Sequence, residues 1–218
     1  MRNRFDRQLQ ILEEQLIHMG ELCESAIANA TRALSDGSIE QAKAVISADV
    51  EIDEMEKDIE KLCLKLLLQQ QPVAKDLRRI SAALKMITDM ERIGDQTADI
   101  AEIVISANIA ESIDIKDIGT MAVAVSTMVR DSVTSYVQKD LELARKVMLE
   151  DDNVDQLFDR IRSELVNYIA VNKGKRGSRV VDLIMVTKYL ERIGDHATNI
   201  AEWVEFSITG VHRNGVNV

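Results

Sequence analysis

The sequence predicts an all-α fold made of two tandem antiparallel three-helix bundles. Three observations carry that reading: apolar residues recur at helical spacing almost throughout, helix breakers are scarce, and the two halves repeat each other. A single proline, Pro72, and nine glycines are too few for a β-sandwich or barrel, which needs a turn every dozen residues or so. With 46% hydrophobic and 29% charged residues the chain has the means to fold. At 218 residues it hides roughly 70% of its unfolded surface.

Each helix has its own pattern. Leu9, Leu12, Leu16, Met19, Cys23, Ile27, Ala30 and Leu34 mark a first helix over about residues 3–34. Asp36-Gly37-Ser38 is a stop followed by a new N-cap. Val45, Ile52, Met55, Ile59, Leu62 and Leu66 line a second, over about residues 38–70. Gln71 before Pro72 ends it, and Pro72 is expected to open the third helix, which runs to about residue 109. A fourth is expected from near Ile115 to Gln138, and a fifth from about Asp140 to Val171. Residues 172–178 read as a loop, Ser178 as the cap of a sixth helix reaching about Ser207, and the last residues from Gly210 as a frayed tail.

Residues 91–104, ERIGDQTADIAEIV, and 191–204, ERIGDHATNIAEWV, are identical at nine of fourteen positions with an offset of 100. Residues 40–59 align with 142–161 at an offset of 102, so that Asp49 and Asp53 fall on Asp151 and Asp155. The two-residue change of offset fits a deletion in a loop. The division is therefore a first unit over 1–110 and a second over 111–218.

Composition narrows function. The formal charge of -10 and a pI near 4.9 lack the footprint of a general nucleic-acid binder, and seven scattered aromatics make no stacking platform. The charged start at Met1-Arg2-Asn3-Arg4 does not read as a signal peptide, and no apolar run reaches the length of a membrane span. Cys23 and Cys63 are isolated thiols among apolar positions, which fits buried free cysteines in a reducing, cytoplasmic setting. The acid is uneven: residues 1–109 carry 13 basic and 20 acidic side chains, residues 110–218 carry 14 and 17.

Glu91, Asp95, Asp99 and Glu102 fall within about 80° of one helix face, opposite Ile93, Ile100 and Val104. Glu191, Asp195, Asn199 and Glu202 repeat the stripe, and the neighbouring helices carry Asp49, Asp53, Glu56 and Glu60, then Asp151 and Asp155. Such stripes are either solvated acidic faces or cation sites, because like charges four apart repel in an isolated helix. Gly94 and Gly194 sit mid-helix beside the aspartates, where glycine costs about 1 kcal/mol relative to alanine and allows close approach of a helix or a ligand. All-carboxylate ligation suits Mg²⁺, Ca²⁺, Mn²⁺ or iron. The Glu-x-x-His pairs of di-iron bundles are absent, and His196 points about 100° off the stripe, as a surface residue or a partner of a ligand. The basic loop Lys173, Lys175, Arg176 and Arg179 reads as a solvated connection rather than an anion site. No P-loop, nucleophile elbow or HExxH motif is present.

The doubled ERIGD…IAE pattern, the QQPVAKDLR stretch at residues 70–78 and the two-copy layout resemble the PhoU family of phosphate-uptake regulators over essentially the whole chain. The resemblance implies a cytoplasmic protein, a homodimer, with no covalent chemistry of its own. It implies a negative regulator linking the ATPase subunit of a phosphate ABC transporter to a sensor histidine kinase, and so only peripheral association with membrane complexes. It also implies metal ions (Fe, Mn, Zn, Mg or Ca) at (E/D)xxxD motifs, here Glu91, Asp95 and Asp99 with Asp49 and Asp53, and Glu191 and Asp195 with Asp151 and Asp155. Asn199 stands where the first copy has Asp99, and the QPVAKDLR stretch has no counterpart before the sixth helix. A carboxylate-bridged metalloenzyme and a purely structural bundle are the competing readings.

Overall fold

The structure is a computed structural model that describes residues 2–70, 72–107 and 116–211. Among the described residues six helices appear in order: α1 (Arg2–Asp36), α2 (Ile39–Gln70), α3 (Ala74–Ala107), α4 (Lys116–Gln138), α5 (Leu141–Val171) and α6 (Gly177–Thr209). The boundary expected near residue 110 and the tail beyond Val211 lie outside the described residues.

The turns follow local chemistry. Gly37 takes φ 63° and ends α1, and Ser38 Oγ accepts the Gln41 N–H at 3.3 Å to start α2. Lys139 at φ 57° turns the chain after α4, and the Asp140 carboxylate caps α5 by accepting the Leu143 N–H at 3.0 Å. Two start signals differ from expectation. Pro72 does not open α3; the first helical bond runs from the Leu77 N–H to the Val73 carbonyl, so Val73 takes the cap position and the proline stays in the connection. Ser178 does not cap α6. Arg176, left-handed at φ 60°, occupies the cap position, its carbonyl accepts the Val180 N–H, and Ser178 falls inside the first turn. Gly210 at φ 80° closes α6.

The expected apolar stripe of α1, from Leu9 to Leu34, is buried throughout. Within each unit every helix packs on the other two, and α1–α4 and α3–α6 join the units. The result is two layers: α2, α3, α6 and α5 side by side, with the α1–α4 pair across them. The two central helices are well enclosed, each with thirteen buried residues against six in the outer α5. Ala82, Ala83 and Ala101 of α3 and Ala197 and Ala201 of α6 keep these helices slim enough to pack on three neighbours. Each fully buried Leu, Ile or Met contributes about 1.5–3 kcal/mol, so truncating Leu16 or Met86 would cost about 2–5 kcal/mol.

Polar contacts fix how the units sit together. A Cβ on Gly20 of α1 would lie 3.3 Å from Val133 of α4, so that glycine allows close approach. Glu24 pairs with Arg130 across the same seam. At its far end Glu13 pairs with Arg79 of α3, and the buried Tyr136 hydroxyl of α4 donates to the Arg79 carbonyl at 2.9 Å. Burial pushes the Tyr136 phenol up, so it remains a donor at neutral pH. Both cysteines are buried and free, as expected. Burial raises the Cys63 thiol to about 12, and the Cys23 thiol is raised further, by burial and then by the nearby Asp49.

Candidate cation clefts

The helices α3 and α6 run antiparallel about a local two-fold: Arg78 lies against Gly210, Lys85 over the Trp203 ring, and Asp89 against His196 and Asn199. This arrangement sets the acidic stripes in two related seams, one between α2 and α3, the other between α5 and α6.

The first seam gathers Asp49 and Asp53 from α2 with Glu91, Asp95 and Asp99 from α3. Gly94 shapes its floor. A Cβ there would overlap Asp49 Oδ1 and come within 3.1 Å of Ile52 Cδ1. The missing side chain thus lets the Asp49 carboxylate rest on the α3 backbone, where its Oδ1 is buried without a hydrogen-bond partner. Burial, then the charges of Asp53, Asp95 and Asp99, raise the Asp49 carboxyl to about 6. Glu91 and Asp99 are raised as well, each by burial first, then Glu91 by Asp95 and Asp99 by Glu102. Glu91 Oε2 is also buried without a hydrogen-bond partner. The half-exposed Arg92 guanidinium answers part of this charge, 2.8 Å from Asp95 and 3.4 Å from Glu91.

The second seam brings Asp151 and Asp155 to Glu191 and Asp195. Gly194 is less crowded than Gly94, since a Cβ would meet Val154 at 3.3 Å and Asp151 Oδ1 at 3.7 Å. Asp195 is raised to about 6 by burial, Glu191 and Asp151, against the pull of Lys188. Asp151 is raised by burial, then Asp155; Asp155 by burial, then Glu191, again opposed by Lys188. Glu191 is ion-paired to Lys188. The structure therefore brings each sequence-predicted acid into one of two clusters. Among the described residues no three His, Cys, Asp or Glu side chains come together in an arrangement that could hold a metal ion.

Sequence reasoning missed the node between the clefts. His196 is neither a surface residue nor a cleft residue: its ring is largely buried and its Nδ1 lies 2.9 Å from Asp89 Oδ1. Asn199 Nδ2 donates to the same oxygen at 3.1 Å. The substitution of Asn199 for the acid at Asp99 thus has a structural reason, because an aspartate there would face Asp89. At the related position on the other side of the two-fold, Asp99 faces the Tyr189 phenol and raises it, second to burial. Lys188 was also missed, although the offset of 100 already placed it opposite Thr88.

Fold and site together define a duplicated helical bundle with two acidic clefts related by a local two-fold. The PhoU domain profile matches residues 16–104 and 118–204, one match per bundle. The chain belongs to the PhoU family. It is 39% identical over 208 residues to the phosphate-specific transport system accessory protein PhoU homolog of Clostridium acetobutylicum, covering 94% of each chain. It is 40% identical over 189 residues to the homolog of the same description from Aquifex aeolicus, covering 85% of this chain and 84% of that one. The crystal structure of PhoU from Pseudomonas aeruginosa superposes with a TM-score of 0.89 at 33% identity, over 95% of this chain and all of that one. The phosphate transport system regulatory protein PhoU from Streptococcus pneumoniae shares the fold, with a TM-score of 0.86 at 24% identity over 95% of this chain and 98% of that one.

Proposed function

We propose that this protein is a cytoplasmic negative regulator of phosphate uptake, an adaptor between the ATPase subunit of a phosphate ABC transporter and a sensor histidine kinase. Full-length similarity to accessory proteins of phosphate-specific transport supports the role. No helix among the described residues is long and apolar enough to cross a membrane, which fits a peripheral adaptor. The adaptor acts through binding, as a homodimer, and not through catalysis.

The first cleft is also proposed to hold a metal ion. The observation that carries this part is Asp49: a carboxylate oxygen buried without a donor, in a cradle left by Gly94, among acids that raise its proton affinity. A cation supplies the missing charge. Asp49, Asp53, Glu91, Asp95 and Asp99 are the donors, oxygen ligands suited to Mg²⁺, Ca²⁺, Mn²⁺ or iron, with zinc also open. Closing on an ion requires the side chains to rotate inward, Asp95 leaving Arg92. Asp151, Asp155, Glu191 and Asp195 are the related donors of the second cleft.

Deletion and complementation test the adaptor. Loss of the gene should switch phosphate-starvation genes on in rich phosphate, and affinity capture of the protein should recover the transporter ATPase or the kinase. Continued repression together with empty captures would defeat the reading. Elemental analysis of protein purified without a histidine tag tests the cleft separately, and metal at background level would remove the ion while leaving the adaptor standing.

A further inference from the structure

Aligning the two clefts through the repeat shows that four positions around the acids shift toward positive charge in the second. Glu56 of the first corresponds to Phe158 of the second, Glu60 to Arg162, Thr88 to Lys188 and Asp99 to Asn199. Each of these four changes removes negative charge or adds positive charge, while Val50 to Asp152 and Lys57 to Asp159 run the other way and raise the second cleft's Asp151 and Asp155. The changed residues also meet in space. The Lys188 ammonium pairs with Glu191 and lies 5.4 Å from the centre of the Phe158 ring, while the Arg162 guanidinium lies 5.3 Å from that ring on its own helix. In the first cleft the same level holds Glu56 and Glu60, and Glu56 is raised by burial and by Glu60.

We infer that Lys188 is a tethered counter-cation of the second cleft, seated on Phe158 and paired with Glu191, so that only the first cleft demands a divalent ion. The inference rests on the cation reading of the clefts given above. Its physical basis is exchange of one cation for another. An ammonium on a flexible stem sits where an incoming metal would need the Glu191 carboxylate, and metal binding there must first displace it. Thr88 offers the first cleft no such charge. Arg92, half exposed, lies 2.8 Å from Asp95 and 3.4 Å from the buried Glu91 Oε2, on α3 itself. The second cleft thus keeps its four carboxylates and carries part of their counter-charge on its own Lys188.

Reciprocal substitutions test this, with Mn²⁺ as the probe and binding followed by equilibrium dialysis and by the loss of the free-ion electron paramagnetic resonance signal. In the wild type, D49N/D95N should abolish the tightest class of Mn²⁺ site and D151N/D195N should leave it in place. K188T, and K188Q as the variant that keeps the stem, should tighten Mn²⁺ binding at the second cleft at least about tenfold, and T88K should weaken it at the first by a similar factor. Melting in EDTA gives a readout without metal: K188T and K188Q should lower the midpoint and regain it with Mn²⁺, and T88K should raise it. If K188T and K188Q bind Mn²⁺ as the wild type does, or if D151N/D195N removes the tightest site, Lys188 is not the counter-cation. Should neither the wild type nor any variant bind Mn²⁺, the cation reading of the clefts fails first and this inference with it.

Discussion

Asp49→Asn removes the charge that the fold accommodates least well. Asp49 titrates near 6 in the folded chain, above its ordinary value of 3.8. A carboxyl raised on folding favours the folded state below about pH 4 and loses that contribution as the pH climbs through about 6. At pH 7.5 the ionised group therefore opposes folding. The gap between 3.8 and about 6 corresponds to about 3 kcal/mol at 1.36 kcal/mol per pH unit. The side chain is only partly buried, so solvent and relaxation reduce this to about 1 kcal/mol. For a chain of this length that is a rise in Tm of about 2–4 °C.

The assay is thermal unfolding of wild type and D49N in EDTA at pH 7.5 and at pH 4.5. D49N should melt higher at pH 7.5, and the advantage should fall to about a third at pH 4.5, where the folded wild-type carboxyl is protonated but the unfolded one, with its ordinary value of 3.8, is still mostly ionised. Excess Mn²⁺ at pH 7.5 should stabilise the wild type more than D49N, reversing the order. If D49N melts at or below wild type at pH 7.5 in EDTA, or by the same increment at both pH values, the reasoning from buried charge is wrong.

Three further variants probe separate parts of the structure. G94A should be about 1–2 kcal/mol less stable than G194A in urea, because both gain helix propensity but only the first presses a Cβ into Asp49 and Ile52; it should also weaken Mn²⁺ binding, and equal stabilities would refute the cradle. Y136F should cost about 1 kcal/mol through the lost bond to the Arg79 carbonyl, and an unchanged urea midpoint would show that this contact adds nothing to the joint between units. N199D places a second carboxylate against Asp89 and should lose about 1–2 kcal/mol, with D89N in the same chain restoring at least half; additive losses in that double-mutant cycle would show that the two side chains do not interact.

Much of this molecule is legible one helix at a time. Leu12, Leu16 and Met19 declare a buried stripe because period alone places them on one side, and that side has a neighbour. The ERIGD copies declare the duplication, and the spacing of Glu91, Asp95 and Asp99 places those acids on one face. The caps at Pro72 and Ser178 were misread for a different reason. Proline and serine are favourable at helix starts, but the start is set by the φ and ψ of a connecting segment. At Arg176 a left-handed backbone overrides the better capping residue two positions later. The Asp89–His196–Asn199 node was not visible because no single helix contains it. Asp89 lies about 160° around α3 from Glu91, on the side that only the pairing with α6 gives a meaning. Lys188 and Phe158 lie between these cases: the repeat alignment names their counterparts, but only packing shows that the ammonium rests on the ring.

The asymmetry between the clefts is coupled through the joint that holds the halves together. On one side of the two-fold the positions related by the repeat are Asp89 and Asn199, on the other Tyr189 and Asp99. Each pairing contains one carboxylate and one neutral group. Two aspartates facing each other at either place would leave like charges between tightly packed helices, and a neutral group at position 99 would remove an acid from the first cleft. With the acid kept at position 99, the first cleft retains a carboxylate that the second lacks. With the acid at position 89, the second half receives a carboxylate that binds His196 and Asn199 and stays out of the cleft. A perfectly symmetric chain would have to put the same pair at both places. The duplicated fold therefore provides two equivalent clefts, and the contacts of α3 with α6 make them unequal before any ion or partner arrives.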